Sequence, residues 1–487
     1  MAPTASRASG TWGVHRVPHV GESGPKLAPD LAICAMDGAG EMYGVVCEGL
    51  AGRRCELAGE GSVPGIGRSE VDAGAYDCAV AAIGGSTMAL SALPVIDLSA
   101  DTWWRDPGDT TAPMHAAGAV AAFVPGFETV SFLRYEDCLA GLNDPNLAAM
   151  GSRYFRMQGW TSGEFIDWID RNVVMMNPPD HTRLRRLVAR AFTPRAVSDM
   201  RVVAARISNE LCDEVAANGG HVEFVHDWAR VLPLRVICEM IGIPQVDVDL
   251  MGEWAYALSV ASGVPTQDAR DAGDAAMRGF NEYVSAMIAE RRARPTGDLL
   301  TGLVAAEEDG DRLSALELQA MVVQLIFAGH ETTQNLLGNG LYRLLENPVQ
   351  IDALRTDRAR VPGAIEEMLR RDPPILFTSR IAREATEIAG IPVEADQLIM
   401  LNLTAANHDP LRFADPLRFD IDRRDNRHLS FGHGVHFCLG ANLARLEAEV
   451  AFNTLLDRFS SIEETTPSQW AAFTPLRGRE RLDIQMR

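Results

Sequence analysis

Phe431-Gly-His-Gly-Val-His-Phe-Cys-Leu-Gly440 sets one cysteine, Cys438, in a glycine-rich loop, and a helix-forming run follows from Ala441 through Leu456. A thiol at that place meets the positive end of the helix dipole, which favours the thiolate. Gly432, Gly434 and Gly440 let the backbone approach something large and flat. Phe431 and Phe437 bracket the sulfur. A lone cysteine is otherwise a small buried hydrophobe, and a glycine-rich turn before a helix is otherwise only a turn. Together these residues describe a cysteinate offered to a buried planar cofactor.

The 487 residues are 47% hydrophobic and 23% charged, an ordinary globular composition with enough chain for a large core. A formal net charge of −21 disfavours nucleic acid and anionic membranes as partners, and no Lys/Arg run forms a basic arm. The eight cysteines are scattered without a C-x-x-C, which argues against a zinc ribbon and for free thiols in a reducing cytoplasm. The uncharged stretch from Cys78 to Ile96 is rich in Ala and holds Gly84-Gly85 and Pro94. It is too weakly hydrophobic for a membrane anchor. The first residues lack the pattern of a secretory signal.

Residues 1–87 differ from the rest. They hold 16 of the 42 glycines and four of the eight cysteines, with no sustained helical or strand period. This extension reads as a disordered leader or an artefact of start-site choice, with a small accessory domain as the rival. Met88 suits an initiator, leaving residues 88–487 as one catalytic domain. That part reads as mainly α with small β-sheets. Thr129–Leu133 suggests a strand, and 134–143 and 180–191 suggest helices, the second opened by Pro178-Pro179. Helical periodicity continues at 200–216 and 272–293. The longest helix starts at the capping box Ser314-Ala-Leu-Glu317 and runs to Leu345, roughly 50 Å, before Asn347-Pro348. Alternating runs over 385–403 suggest strands with a turn at Glu394-Ala-Asp396.

Ala328-Gly-His-Glu-Thr-Thr333 interrupts that long helix. Gly329 costs about 1 kcal/mol there relative to alanine. Glu331 and Thr332 then place polar groups after the apolar run Met321–Ala328. A solvated face explains this poorly, and a packing notch explains Gly329 alone. A functional groove explains the set: small residues admit a ligand, while the acid and the alcohol handle protons. Farther on, Glu367 and Arg370 share one helix face and can pair. At a surface such a pair contributes only a few tenths of a kcal/mol.

The pattern F-x-x-G-x-x-x-C-x-G-x-x-x-A, from Phe431 to Ala444 with His436 two before the cysteine, resembles the haem-thiolate signature of the cytochrome P-450 family. Ala328-Gly-His-Glu-Thr332 is similar to the family's A-G-x-[DE]-T, and Glu367-Met-Leu-Arg370 to its E-x-x-R, in the family's order. The resemblance covers about Ala92 to the C-terminus and is greatest to the soluble bacterial branch. It implies the cytochrome P-450 fold with a single haem-binding domain and heme b (iron protoporphyrin IX) as cofactor. Cys438 would be the metal ligand. Thr332 and Glu331 would be catalytic, supporting proton delivery, with no such role for His330. His181, Arg185, Arg380 and His436 match the positions that hold the propionates, and Phe431, Gly440 and Gly329 would also contact the cofactor. Arg183 and Arg186, on other faces of their helix, read better as surface charge. Glu367 and Arg370 would form a buried structural pair whose third partner is Arg418 or His428. Ile375, Leu376, Phe377 and Thr378 are substrate-contact candidates, and Asn407-His-Asp-Pro410 is assigned a turn.

The implied reaction is that of a monooxygenase inserting one oxygen atom of O2 into a lipophilic small molecule, by hydroxylation or epoxidation. Electrons would pass from NAD(P)H through a separate ferredoxin reductase and ferredoxin, the latter docking near Arg423, Arg424 or Arg445. Two alternatives are a peroxide-driven peroxygenase and a non-enzymatic haem-thiolate sensor. The first branch carries Arg-Pro in place of the acid–alcohol pair, and the intact Glu331-Thr332 argues against both. Segments near 148–175 and 243–275 should meet the substrate. Their apolar and small residues suit a terpenoid, steroid, fatty acid or polyketide, without ranking them.

Overall fold

The computed structural model describes residues 93–263, 266–308, 311–471 and 476–487, together with the backbone of three strands in the first 58 residues. The chain divides into two units, Met1–Met88 and Ala89–Arg487. In the first unit Asp30–Met36, Met42–Glu48 and Cys55–Ala58 pair antiparallel as one small sheet. Most of the stretch from Cys78 to Ile96 lies outside the described residues.

The second unit is mainly helical, as the periodicity suggests. Its longest helix, Ala315–Leu345, opens on the Ser314/Glu317 capping box with both reciprocal hydrogen bonds present. At 1.5 Å per residue it is about 47 Å long. Val231–Ile241 and Val248–Gly263 lie against it, and Pro194–Ala217 lies along Ala441–Arg458. The apolar faces of these helices make one continuous core that includes Phe165, Trp228, Phe280, Val323 and Phe452. The helices expected at 134–143 and 180–191 are Tyr135–Asn143 and Asp180–Ala191. Those at 200–216 and 272–293 are longer than their periodicity suggests, Pro194–Ala217 and Gln267–Ala293, because Thr193 and Thr266 cap them earlier.

A five-stranded sheet forms the other flank, in the order Ala121–Val124, Thr129–Phe132, Leu398–Asn402, Phe377–Ala382, Leu147–Ala148. Among these five strands, Thr129–Phe132 and Leu398–Asn402 pair parallel and the other neighbours pair antiparallel. This sheet brings the segment after the Glu367–Arg370 helix back to the site. Thr386–Ile388 and Ile391–Val393 form a hairpin whose turn takes Ala389 and Gly390 at φ 51° and 81°. The expected turn at Glu394-Ala-Asp396 is present: the Gln397 N–H donates to the Glu394 carbonyl at 3.2 Å, and Asp396 takes φ 64°.

Buried charge ties the elements together. Asp372, 1% exposed, accepts from Arg343 at 2.5 Å and Arg477 at 3.1 Å. Arg371 reaches Asp106 at 2.7 Å. The end of the long helix, the Glu367–Arg370 helix, the C-terminal segment and the first helices therefore share one ionic knot. Among the described residues, no helix is long and apolar enough to cross a membrane.

Candidate active site

The cysteine loop is held by its own backbone. The Cys438 N–H donates to the Phe431 carbonyl at 2.9 Å. Gly432 and Gly434 adopt φ 67° and 65°, the left-handed region that a side chain disfavours. A Cβ on Gly434 would sit 2.9 Å from the Leu142 carbonyl, so this loop also needs glycine for room. A Cβ on Gly440 would meet nothing within 4 Å, which leaves open space beside the thiol. Burial pushes the Cys438 thiol up. The N–H groups of Gly440 and Ala441 and the guanidiniums of Arg185 and Arg445 pull it down but do not prevail. The helix start therefore acts in the expected direction without making the free thiol acidic.

Around this loop gather the four residues assigned to the propionates. His181 and His436 have ring centroids 4.3 Å apart. Burial first, then His181, Arg380 and Arg185, lower the His436 pKa to about 3. Arg380 is 7% exposed, and burial lowers it to about 10. Its Nη1 donates to Thr378 Oγ1 at 2.8 Å. Arg185 donates to the Phe437 carbonyl at 2.6 Å. Arg380, Arg185 and the neighbouring His181 act on His436, and among the described residues buried His181 Nδ1 has no hydrogen-bond partner. Such a cluster, next to an open space at Gly440, fits a planar group that carries carboxylates. Arg183 is not simple surface charge: it pairs with Asp311 at 3.3 Å and with Glu317.

The long helix is buried along most of its length, but Ala328 is exposed and Thr332, one turn on, is half-buried. These positions share a face. The Thr332 hydroxyl donates to the Ala328 carbonyl at 2.9 Å, so its oxygen keeps lone pairs to accept from a ligand. Glu331 takes a hydrogen bond from Ser259 of the helix Val248–Gly263, while its Oε2 is buried without a partner. Burial raises its pKa. His330 turns into the core, 3% exposed, with Nδ1 at 2.9 Å from the Ile326 carbonyl. The open side of Gly329 faces Ile237, 3.0 Å from a built Cβ, so the structure gives this glycine the packing notch.

The substrate-contact candidates separate. Ile375 is 37% exposed, and Phe377 and Thr378 are half-buried. Leu376, at 2%, packs with Trp103, Trp104, Met400 and Ala405, so it belongs to the core: alternation along an extended segment turns it away from its neighbours.

Behind the loop, Glu367 and Arg370 are both fully buried and pair through two 2.8 Å contacts. Arg370 also donates to the carbonyls of Asn407, Pro416 and Arg418, so all five of its N–H groups are used. The third side chain on Glu367 is neither expected candidate. Arg423 takes that place, its Nε 3.1 Å from Oε2. Arg418 contributes its carbonyl and extends its side chain outward, 66% exposed, and His428 faces Glu366 at 3.2 Å. Asn407 is more than a turn residue. It accepts from the Leu429 N–H at 2.8 Å and donates to Ser430 Oγ at 2.9 Å, joining the Arg370 hub to the cysteine loop. Arg423 stands in the charged run Asp420-Ile-Asp-Arg-Arg424, where sequence alone gives no sign of burial.

The Cytochrome P450 family model matches residues 251–470. Cytochrome P450 107B1 of Saccharopolyspora erythraea is 40% identical over 375 residues, covering 74% of this chain and 90% of its own. The polyketide biosynthesis cytochrome P450 PksS of Bacillus subtilis is 37% identical, covering 72% and 88%, and its solved structure superimposes with a TM-score of 0.72 over 80% of this chain and 98% of its own, at 33% identity. 6-Deoxyerythronolide B hydroxylase of Saccharopolyspora erythraea is 38% identical, covering 65% and 78%. The chain belongs to the cytochrome P450 family. It is a haem-binding monooxygenase of bacterial type.

Proposed function

We propose that this enzyme oxygenates a lipophilic polyketide-like molecule, with Cys438 as the iron's thiolate ligand. The single observation that carries the site assignment is the cluster of two arginines and two histidines about the Cys438 loop. His181, Arg185, Arg380 and His436 face one another with no carboxylate acting on His436. When bound, haem supplies the oxygen chemistry, and a thiolate ligand favours O–O cleavage. The protein's share is binding, exclusion of water and proton handling. His181, Arg185, Arg380 and His436 would hold the propionates, with Phe431 and Gly440 beside the ring.

On the long helix, Ala328 leaves room and Thr332 Oγ1 is the acceptor available to a bound ligand. Glu331 is the acid proposed to handle the proton: burial raises its pKa, and a hydrogen bond from Ser259 orients it and acts in the opposite direction. A buried carboxyl of raised pKa next to a threonine suits proton transfer into the groove. Ile375, Phe377 and Thr378 are the contacts proposed for substrate.

The polyketide class rests on the printed names of two relatives, one in polyketide biosynthesis and one a 6-deoxyerythronolide B hydroxylase. Electrons would come from NAD(P)H through a separate ferredoxin reductase and ferredoxin in the cytoplasm. Arg424 remains a docking candidate, whereas Arg423 and Arg445 are engaged within the chain. A screen of polyketides, terpenoids, steroids and fatty acids for the low- to high-spin Soret shift tests the substrate class. A polyketide should give the tightest shift; a steroid or fatty acid binding more tightly than every polyketide would refute that choice.

A further inference from the structure

Next to the cysteine loop lies an ion-pair relay that neither the acid–alcohol pair nor the propionate cluster uses. Arg445, on the helix after the loop, grips Glu366 through Nε at 2.7 Å and Nη2 at 2.8 Å. His428, almost fully buried, stands 3.2 Å from the second carboxylate oxygen. The Arg445 guanidinium lies over the Phe431 ring, 4.5 Å from its centroid. The Phe431 carbonyl holds the Cys438 N–H, and Arg445 and Cys438 act on each other electrostatically. A planar cation is therefore fixed against the aromatic wall of the thiol by the Glu366 carboxylate, with the His428 ring close behind it.

We propose that Arg445, positioned by Glu366 and His428, sets the reduction potential of the iron by tuning the charge felt at Cys438. A guanidinium suits this task. It stays charged, stacks on an aromatic face and is locked by two parallel bonds. At roughly a third exposed, the pair is only partly screened by water. Arg445 is a positioning residue and does not touch the substrate.

The inference rests on Cys438 being the ligand, so the experiment reports on both. The ferrous carbon-monoxide spectrum of the wild type tests the ligand, and spectroelectrochemical titration of the variants tests the relay. Arg445→Gln removes a positive charge and should shift the potential negative. Glu366→Gln leaves that positive charge uncompensated and should shift it positive. The double variant should return towards the wild type, and Arg445→Lys, which keeps the charge, should move it least. Shifts of the same sign in both single variants would overturn the proposal, as would a shift in Arg445→Lys equal to that of Arg445→Gln. If the glutamine variants lose haem, the lysine variant alone decides: a potential displaced as far as that of the Phe431→Ala control contradicts it.

Discussion

Thr332 shows how one hydroxyl can serve both the helix and the chemistry. Its proton is committed to the Ala328 carbonyl, and its lone pairs face the groove. Thr332→Ala should leave haem content unchanged while peroxide formed per NADH rises several-fold. Equal coupling in the two proteins would remove Thr332 from the proton path. Glu331→Gln should slow turnover by about 10²-fold or more, the usual scale of a positioned acid. Glu447 supplies a separate titration. It is fully buried, both oxygens lack hydrogen-bond partners among the described residues, and burial raises its pKa well above the usual carboxylate range. A carboxyl whose folded pKa lies above the unfolded one binds its proton more tightly when folded. It thus subtracts stability as pH rises through the interval between the two values. Glu447→Met should gain on the wild type as pH rises from 5 to 8 in urea unfolding; a difference that is flat with pH would contradict this. The cysteine, the acid and the alcohol were legible because rare residue types stand at fixed spacing. Ser259 and Glu447 were not, because a serine or glutamate in a helix carries no mark of what faces it.

At the scale of elements, the long helix was readable from its cap to its end. Ser314, Glu317 and Asn347-Pro348 are local signals that packing does not override. The Glu367–Arg370 pair was readable as spacing, but its surroundings were not. Arg423 and Asn407 arrive from segments more than 35 residues away, and a charged run reads as surface until the fold closes over it. The same burial turned Leu376 inward and claimed Arg445 for Glu366. Arg370→Lys should destabilise strongly despite keeping the charge, because an ammonium cannot use five donors in a fixed plane. Removing one partner of such a buried pair costs about 3–5 kcal/mol. Arg370→Ala should therefore lower the unfolding free energy measured in urea by about 3–5 kcal/mol and shed haem. Loss below 1 kcal/mol would mean that the hub does not hold the loop.

Across the whole molecule, mainly helical architecture with small sheets follows from periodicity, and the order of three motifs selects the family. Substrate choice was not legible. It depends on which side chains of distant segments share one cavity, and spacing along the chain does not encode that. The first 87 residues pose a separate question. We propose that they lie outside the catalytic domain, as a leader or as an artefact of start-site choice; a native N-terminus at or near Met88 would support the start-site alternative, and an intact mass with Met1 would contradict it. The central claim, that Cys438 binds the iron as a thiolate beside arginines and histidines that take the propionates, has one direct test. The reduced carbon-monoxide spectrum of the wild type should carry the Soret band diagnostic of thiolate ligation, and Cys438→Ala should lack it. The same band persisting in the alanine variant would contradict the account.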